Sequence, residues 1–294
     1  MGRELADMFP EARAVFDEAD AAFGGPLSQV CFEGPEDRLT LTENTQPAIL
    51  TVSTAAYRVL VSRGVQPAFV AGHSLGEYSA HVAAGTFAFG DAVKVVRRRG
   101  RYMQEAVPVG EGAMAAILGI DTRLAKQACD DAAQGEVVSP ANINGPGQIV
   151  IAGAAAAVKR ASERAKALGA KRVIPLAVSA PFHCAMMKPA EDRLAPELRA
   201  LAVSDPRIPI VANVDAEAKR TAAAGIDALI RQVSAPVLWE DVVRRLASEG
   251  VTTYVEVGPG RVLSGLVKKI HKEAQVFSFA ASEDLAPIEQ ALRG

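Results

Sequence analysis

Hydrophobic and polar positions along the chain switch between a helical and a strand period, and the switches lay out the elements. Residues 46–62 (QPAILTVSTAAYRVLVS) repeat their apolar positions at helical spacing, and Gly64 and Pro67 punctuate the end of that run. Ala68-Phe69-Val70-Ala71 is short and continuously apolar, the mark of a buried strand. A helix follows from Glu77 to about Ala84, closed by Gly85, and another spans about 90–106. The pattern then predicts a strand at 113–118, a helix at 121–132 capped by Asp121 and a strand at 136–143. Asn144-Gly145-Pro146-Gly147 reads as a turn, followed by a strand at 148–152, an Ala-rich helix at 154–169 and a strand at 172–178. That order, βαββαβ, is the signature of a ferredoxin-like unit. Beyond it, strands at 207–212, 252–257 and 275–280 alternate with helices at 188–202, 225–234, 238–249 and 261–271. The first twenty residues read as one amphipathic acidic helix, where a doubly wound protein more often opens with a buried strand. The fold class predicted is α/β: a doubly wound, mainly parallel sheet formed by 1–109 and 180–294, with a ferredoxin-like subdomain inserted at 110–179.

Composition narrows the possibilities. A chain of 294 residues is about two domains long, and 49% hydrophobic with 22% charged residues excludes a disordered polymer. A net charge of −2 and 5% aromatic residues weigh against nucleic acid as a partner. Cys31, Cys129 and Cys184 lie far apart, with neither a disulfide framework nor a CxxC metal site, so no metal is expected and a reducing, cytoplasmic setting is. No apolar run reaches membrane-spanning length, and the N-terminus has no signal-peptide pattern.

Gly72-His73-Ser74-Leu75-Gly76 is the first candidate for chemistry. A strand directly before it and a helix directly after it are what a nucleophile elbow in an α/β-hydrolase-like core requires. Small neighbours at Gly72 and Gly76 permit the tight turn, and the helix N-terminus offers backbone N–H groups to an oxyanion. Ser-x-x-Glu is equally the pattern of a capping box, in which Ser74 and Glu77 merely start a helix. A serine nucleophile needs a base. His73 adjoins Ser74 and points away from it. His81 lies about two turns along the following helix, roughly 10 Å off. His271 sits in a basic helix end that it caps. His183 occupies a non-helical segment, Ser179-Ala180-Pro181-Phe182-His183, at the predicted domain junction. Arg97, Arg98, Arg99 and Arg101 supply a third element. The helix after Ser74 climbs about 16 Å and the next returns about 13–14 Å antiparallel to it, which brings one of these arginines level with the serine. An arginine facing a serine nucleophile fits a substrate carrying its own carboxylate. The spacing leaves open which of the four it is.

Several stretches in order make the chain resemble malonyl-CoA:acyl carrier protein transacylases and the related acyltransferase domains of polyketide and fatty-acid synthases. They are Thr45-Gln46-Pro47-Ala48, Gly72 to Ala80 (GHSLGEYSA), Arg99-Gly100-Arg101-Tyr102-Met103-Gln104, Ala141-Asn142-Ile143-Asn144, and Phe182-His183 with Met186-Met187-Lys188-Pro189. Asn213-Val214, Arg231-Gln232 with Pro236-Val237-Leu238-Trp239, and Glu256-Val257-Gly258-Pro259-Gly260 complete a match covering about residues 3–280. The resemblance implies that Ser74 is the nucleophile that carries a malonyl ester, that His183 is its base and that the Gln232 carbonyl orients the histidine. It further implies that Arg99 holds the malonyl carboxylate and that the Leu75 N–H is an oxyanion donor. Gln46, Met103, Asn142, Asn144 and Phe182 would shape the substrate pocket, with Phe182 disfavouring a methylmalonyl group. The implied substrates are malonyl-CoA and phosphopantetheinylated acyl carrier protein, with no bound cofactor, in a ping-pong scheme run by a monomer. Lys171-Arg172 and Lys268-Lys269-His271-Lys272 are candidates to dock an acidic carrier.

The family opens with a strand and a loop of the Gly-Gln-Gly-Ser-Gln type that supplies a second oxyanion donor, and Met1 to Met8 match the family's residues just past that loop. The expectation is therefore a sheet short of one interior strand and an oxyanion hole short of one donor, through a start assigned at an internal Met or a true truncation. Two other functions use the same residues: a serine hydrolase or thioesterase built on Ser74 and His183, and a carrier-binding protein with impaired catalysis.

Overall fold

The computed structural model describes residues 1–178 and 180–293. Ser179, the expected end of the inserted unit, and Gly294 lie outside the described residues. The single helix expected over the first twenty residues is two, α1 (Arg3–Met8) and α2 (Pro10–Phe23). Phe9 between them is extended at φ −128° and ψ 118°, because Pro10 pushes its predecessor out of the helical region before starting α2 itself. Two short helices that the apolar period is too brief to reveal follow, α3 (Leu27–Glu33) and α4 (Glu36–Thr40). The long helix α5 (Thr42–Ser62) begins four residues before the predicted start and carries Pro47 inside it. Next come β1 (Val70–Ala71), α6 (Leu75–Ala84) and α7 (Phe89–Glu105).

Residues 112–175 form the predicted βαββαβ series: β2 (Gly112–Leu118), α8 (Thr122–Ala132), β3 (Val138–Gly145), β4 (Gln148–Ala154), α9 (Ala155–Ala167) and β5 (Arg172–Pro175). Their sheet is antiparallel in the order β3-β4-β2-β5, the ferredoxin-like arrangement. The side-chain period of two is visible in the packing. Ala115, Ile117, Ile149 and Ile151 face Ala125, Ala128 and Cys129 of α8 and Val158, Ala161 and Ala165 of α9. The intervening Met114, Ala116, Val150 and Ala152 face Phe182, Cys184 and Met186 on the other side. The Asp121 carboxylate caps α8 by accepting from the Leu124 N–H at 2.7 Å, as predicted. The last strand ends at Pro175, not 178, since proline offers no ladder donor.

The remainder comprises α10 (Lys188–Arg199), β6 (Ile210–Val211), β7 (Ala218–Lys219), α11 (Ala222–Gln232), α12 (Trp239–Ser248), β8 (Thr253–Val257), α13 (Val262–Ile270), β9 (Gln275–Phe279) and α14 (Leu285–Arg293). Here β1 and β6 are shorter than the apolar runs that contain them, and Pro209 removes a donor from the run of β6. Neither β7 nor α14 is apparent from periodicity. The parallel pairs β1·β6 and β8·β9 stand as two sheets, with β7 antiparallel on β6. One apolar layer serves both, because Phe69, Ala71 and Val211 pack with Tyr254 and Val276 under α12 and α13. The largest core lies on the other side, among α1, α2, α5, α7 and α10.

Candidate active site

The site forms where β1 ends and turns into α6. A Cβ on Gly72 would lie 2.0 Å from the backbone carbon of Gly76, so position 72 admits only glycine. Position 76 has open space around it, and the expected need for glycine there is not seen. Ser74 takes the strained backbone φ 52° and ψ −106° that aims its side chain out of the turn. Its hydroxyl makes no capping bond to α6, so the capping-box reading of Ser74 and Glu77 fails.

His183 meets Ser74 from across the chain. Its Nε2 lies 2.7 Å from the Ser74 Oγ, and its Nδ1 lies 2.9 Å from the backbone oxygen of Gln232. A carbonyl can only accept, so Nδ1 carries the proton and Nε2 is left to accept from the serine hydroxyl. His183 is itself at φ 60° and is 4% exposed. Burial first, and the charge of Arg99 second, push its pKa down to about 3, which keeps the ring neutral.

Of the four arginines, Arg99 turns inward and is 2% exposed. Gly100 makes this possible: a Cβ there would strike the Thr42 oxygen at 2.5 Å, so α7 closes tightly on the start of α5. The Arg99 Nη1 donates to the Gln46 Oε1 at 2.7 Å, and Nη2 donates to the Gln232 Oε1 at 2.9 Å and the Ser74 Oγ at 3.1 Å. A buried guanidinium is thus held by neutral oxygens, beside the Tyr78 ring at 5.3 Å. The other three point outward: Arg97 lies on the Phe23 ring, Arg98 pairs with Glu197 and Arg101 with Glu105.

The remaining residues divide. The Leu75 N–H, at the head of α6, makes no hydrogen bond among the described residues, as an oxyanion donor requires. Met103 is buried with its sulfur 4.0 Å from the Gln46 Nε2. Phe182 is half-buried, directly before His183, and packs on Cys184 and Met186. Asn142 is bridged through its backbone to Val237. The Asn144 side chain is engaged by His73, whose Nε2 is 2.8 Å from its Oδ1, so both turn toward each other and not toward the serine. His81 is wholly buried against Phe87 without a hydrogen bond among the described residues, and His271 caps α13 as expected. Sequence reasoning assigns no role to Asn213 and reads Glu77 as a cap. Both are completely buried and hydrogen-bonded into the elbow. The signal available for Asn213 is a polar residue closing the apolar run Ile208 to Ala212. Lys171 lies against Gly119 beside the β3–β4 turn, and Lys269 donates to Gln148 at the same turn, so the two basic clusters converge.

A family model described as "Acyl transferase domain" matches residues 1–287. The malonyl CoA-acyl carrier protein transacylase of Bacillus subtilis is 49% identical over 294 residues, covering 100% of this chain and 93% of that protein. The solved malonyl CoA-acyl carrier protein transacylase of Coxiella burnetii superposes with a TM-score of 0.98 at 40% identity, covering 100% of this chain and 93% of its own. A malonyl-transacylase solved in complex with its type II PKS acyl-carrier protein matches with a TM-score of 0.96 at 45% identity, covering 99% and 94%.

Proposed function

The chain belongs to the acyl transferase family, and from that premise we propose that it moves a malonyl group from malonyl-CoA to the phosphopantetheine thiol of an acyl carrier protein. The observation that carries this reading is the Arg99 Nη2 3.1 Å from a serine hydroxyl that is itself bonded to a histidine. A buried fork of guanidinium donors next to a nucleophile selects an acyl group with a free carboxylate. The large α/β domain, 1–109 and 180–294, then contributes every reacting group, and the inserted unit, 110–179, reaches the elbow through Asn144, whose side chain meets His73.

In the first half-reaction the Ser74 Oγ attacks the thioester carbon as its proton passes to the His183 Nε2. The Leu75 N–H stabilises the oxyanion. The carbon–sulfur bond breaks, and the CoA sulfur takes the proton from His183, leaving a malonyl-serine ester. In the second half-reaction the carrier thiol gives its proton to His183 and attacks the ester, and Ser74 recovers the proton as the carbon–oxygen bond breaks. Substrate binding strengthens the base. A carboxylate on Arg99 offsets the charge that depresses His183, so the imidazole gains basicity when the correct acyl group is seated. An acetyl group leaves Arg99 buried with only neutral partners and provides no such gain. Phe182 supports exclusion of a methylmalonyl group. The converged Lys171 and Lys269 clusters support carrier docking on the face beside the β3–β4 turn.

The test is intact mass spectrometry after incubation with malonyl-CoA and no carrier, with Ser74→Ala and Arg99→Ala as controls. A stable malonyl mass gain on Ser74, discharged by holo-carrier, is the expected result. Rapid release of free malonate makes the protein a hydrolase instead, and carrier binding with no acylation makes it a non-catalytic binder.

A further inference from the structure

Three separate requirements of the site converge on one buried carboxyl group. The serine backbone must stay in a strained conformation, the Gln232 carbonyl must face His183, and the Gln232 amide must face Arg99. Glu77, one turn into α6, is completely buried, and its Oε2 accepts from the Asn213 N–H at 3.0 Å and from the Gln232 Nε2 at 2.8 Å. Its other oxygen, Oε1, has no hydrogen-bond partner among the described residues. A buried carboxyl group is costly to keep, and burial pushes Glu77 up to about 7, so local helix stability does not account for it. The capping bond that would have been its local use is absent.

Asn213 works on the elbow from just beyond β6. Its Oδ1 accepts from the Ser74 N–H at 2.7 Å, and its Nδ2 donates to the Gly72 oxygen at 2.7 Å. These partners are an obligate donor and an obligate acceptor, so the amide orientation is unambiguous. The two bonds bracket His73 and hold the turn on both sides of it. Asn213 is anchored in turn by Glu77 at its N–H and by the Leu238 N–H at its carbonyl oxygen, 2.9 Å away. Gln232 closes the ring: its Nε2 also donates to the Ser74 oxygen at 3.0 Å, its Oε1 takes Arg99, and its backbone oxygen takes His183. A strained residue persists only where its surroundings over-determine it, and these bonds do so for Ser74.

We propose that Glu77 and Asn213 are positioning residues that lock nucleophile, base and carboxylate-binding arginine into one unit, Asn213 through the backbone of Gly72 and Ser74, Glu77 through Asn213 and Gln232. The inference rests on the roles given above to Ser74, His183 and Arg99. It separates the two residues by what each controls. Asn213 acts chiefly on the nucleophile, since its Oδ1 lies 2.7 Å from the Ser74 N–H and only at 3.4 Å from the Gln232 Nε2, which Glu77 holds at 2.8 Å, so its loss lowers kcat with a smaller change in KM for malonyl-CoA. Glu77 also controls the Gln232 amide on Arg99, so its loss lowers kcat and raises KM together. Hydrogen-bond acceptance is what Glu77 supplies. A glutamine can place its oxygen on the same two donors and its NH2 at the unpartnered Oε1 position, so Glu77→Gln restores the site where Glu77→Ala does not.

The experiment compares Glu77→Ala, Glu77→Gln and Asn213→Ala with the unaltered protein. One readout is kcat and KM for malonyl transfer. A second is the rate at which a fluorophosphonate probe labels Ser74, which reports nucleophile and base geometry whatever the natural acyl group is. Expected are falls of about 10²-fold in kcat and at least about 10-fold in labelling for Asn213→Ala and Glu77→Ala, with Glu77→Gln within about fivefold of the unaltered protein on both. Wild-type labelling rates in the two alanine variants overturn the proposal. So does a Glu77→Gln variant that is folded and as slow as Glu77→Ala. Should Ser74 label normally but accept no malonyl group, the transfer reading fails, and the labelling rates of the variants still decide this one.

Discussion

The inserted four-stranded unit and the site at the end of β1 are made of opposite materials. Between its sheet and its two helices the insert packs apolar side chains, among them Ile117, Ile149, Ile151, Val158, Cys129 and a row of alanines, all drawn from one short stretch of chain. The site buries Gln46, Glu77, Arg99, His183, Asn213 and Gln232, drawn from both halves of the large domain. Apolar burial is non-directional and adds up atom by atom, so the insert tolerates imperfect geometry at a graded cost. Each polar group of the site has one or two partners at fixed distance and angle, and losing one strands the others without water. Substitutions in the insert therefore act on stability, and substitutions in the site act on rate.

The strongest way to break that contrast is to remove a reacting group. Ser74→Ala lowers kcat for malonyl transfer by at least about 10³-fold and shifts unfolding free energy by less than about 1 kcal/mol. Urea unfolding beside a carrier-malonylation assay reads both, and a loss of activity matched by a loss of stability would contradict the contrast. Arg99→Ala comes next. It leaves the Gln46 and Gln232 oxygens without their donor and the malonyl carboxylate without its partner, so kcat/KM falls by about 10²-fold or more. It also lifts the positive charge that helps depress His183, so the acid limb of the acylation rate moves to higher pH, and an unmoved limb would count against the Arg99 contribution.

Ile151→Ala tests the other side. Ile151 is fully buried among α8 and α9, so about 2–5 kcal/mol of stability is lost while kcat of the folded fraction stays within about twofold. A tenfold fall in kcat would show that the insert's core and the site are not separable. The smallest effect belongs to His81, a polar residue used as if it were apolar. Burial pushes it down to about 3, well below its value in the unfolded chain. Below about pH 6.5 the unfolded state binds a proton that the folded state refuses, so stability is full above that pH and falls as pH drops toward 3. His183 acts in the same sense. Between pH 7.5 and 5 each imidazole costs about 2 kcal/mol, and His81→Phe removes one share. Urea midpoints at the two pH values check it, and an unchanged acid loss would exclude His81 as a cause.

Much of this protein is legible from residue order. The insert's strand alternation and the Asp121 cap are local patterns, and the antiparallel ladder matches them closely. The elbow is legible too, because a strand, a Gly-x-Ser turn and a helix follow one another in the sequence, although the bonds that hold the turn come from Asn213 and Gln232. The resemblance to the acyltransferase family singles out Arg99, Ser74, His183 and Gln232, and the hydrogen bonds join them. Phe9-Pro10, which splits one helix into two, and the prolines that shorten β5 and β6 are local signals as well, masked by the longer apolar runs around them. What only the tertiary structure decided lies where long-range contacts override local preference. Glu77 has the sequence of a helix cap, yet its carboxyl group turns to Asn213 and Gln232, which lie far along the chain. Asn144 turns to His73 for the same reason. Periodicity reports which face of an element is apolar, since burial is a property of each residue. The partner of a buried polar group is a property of the assembled fold, and here the fold chose it.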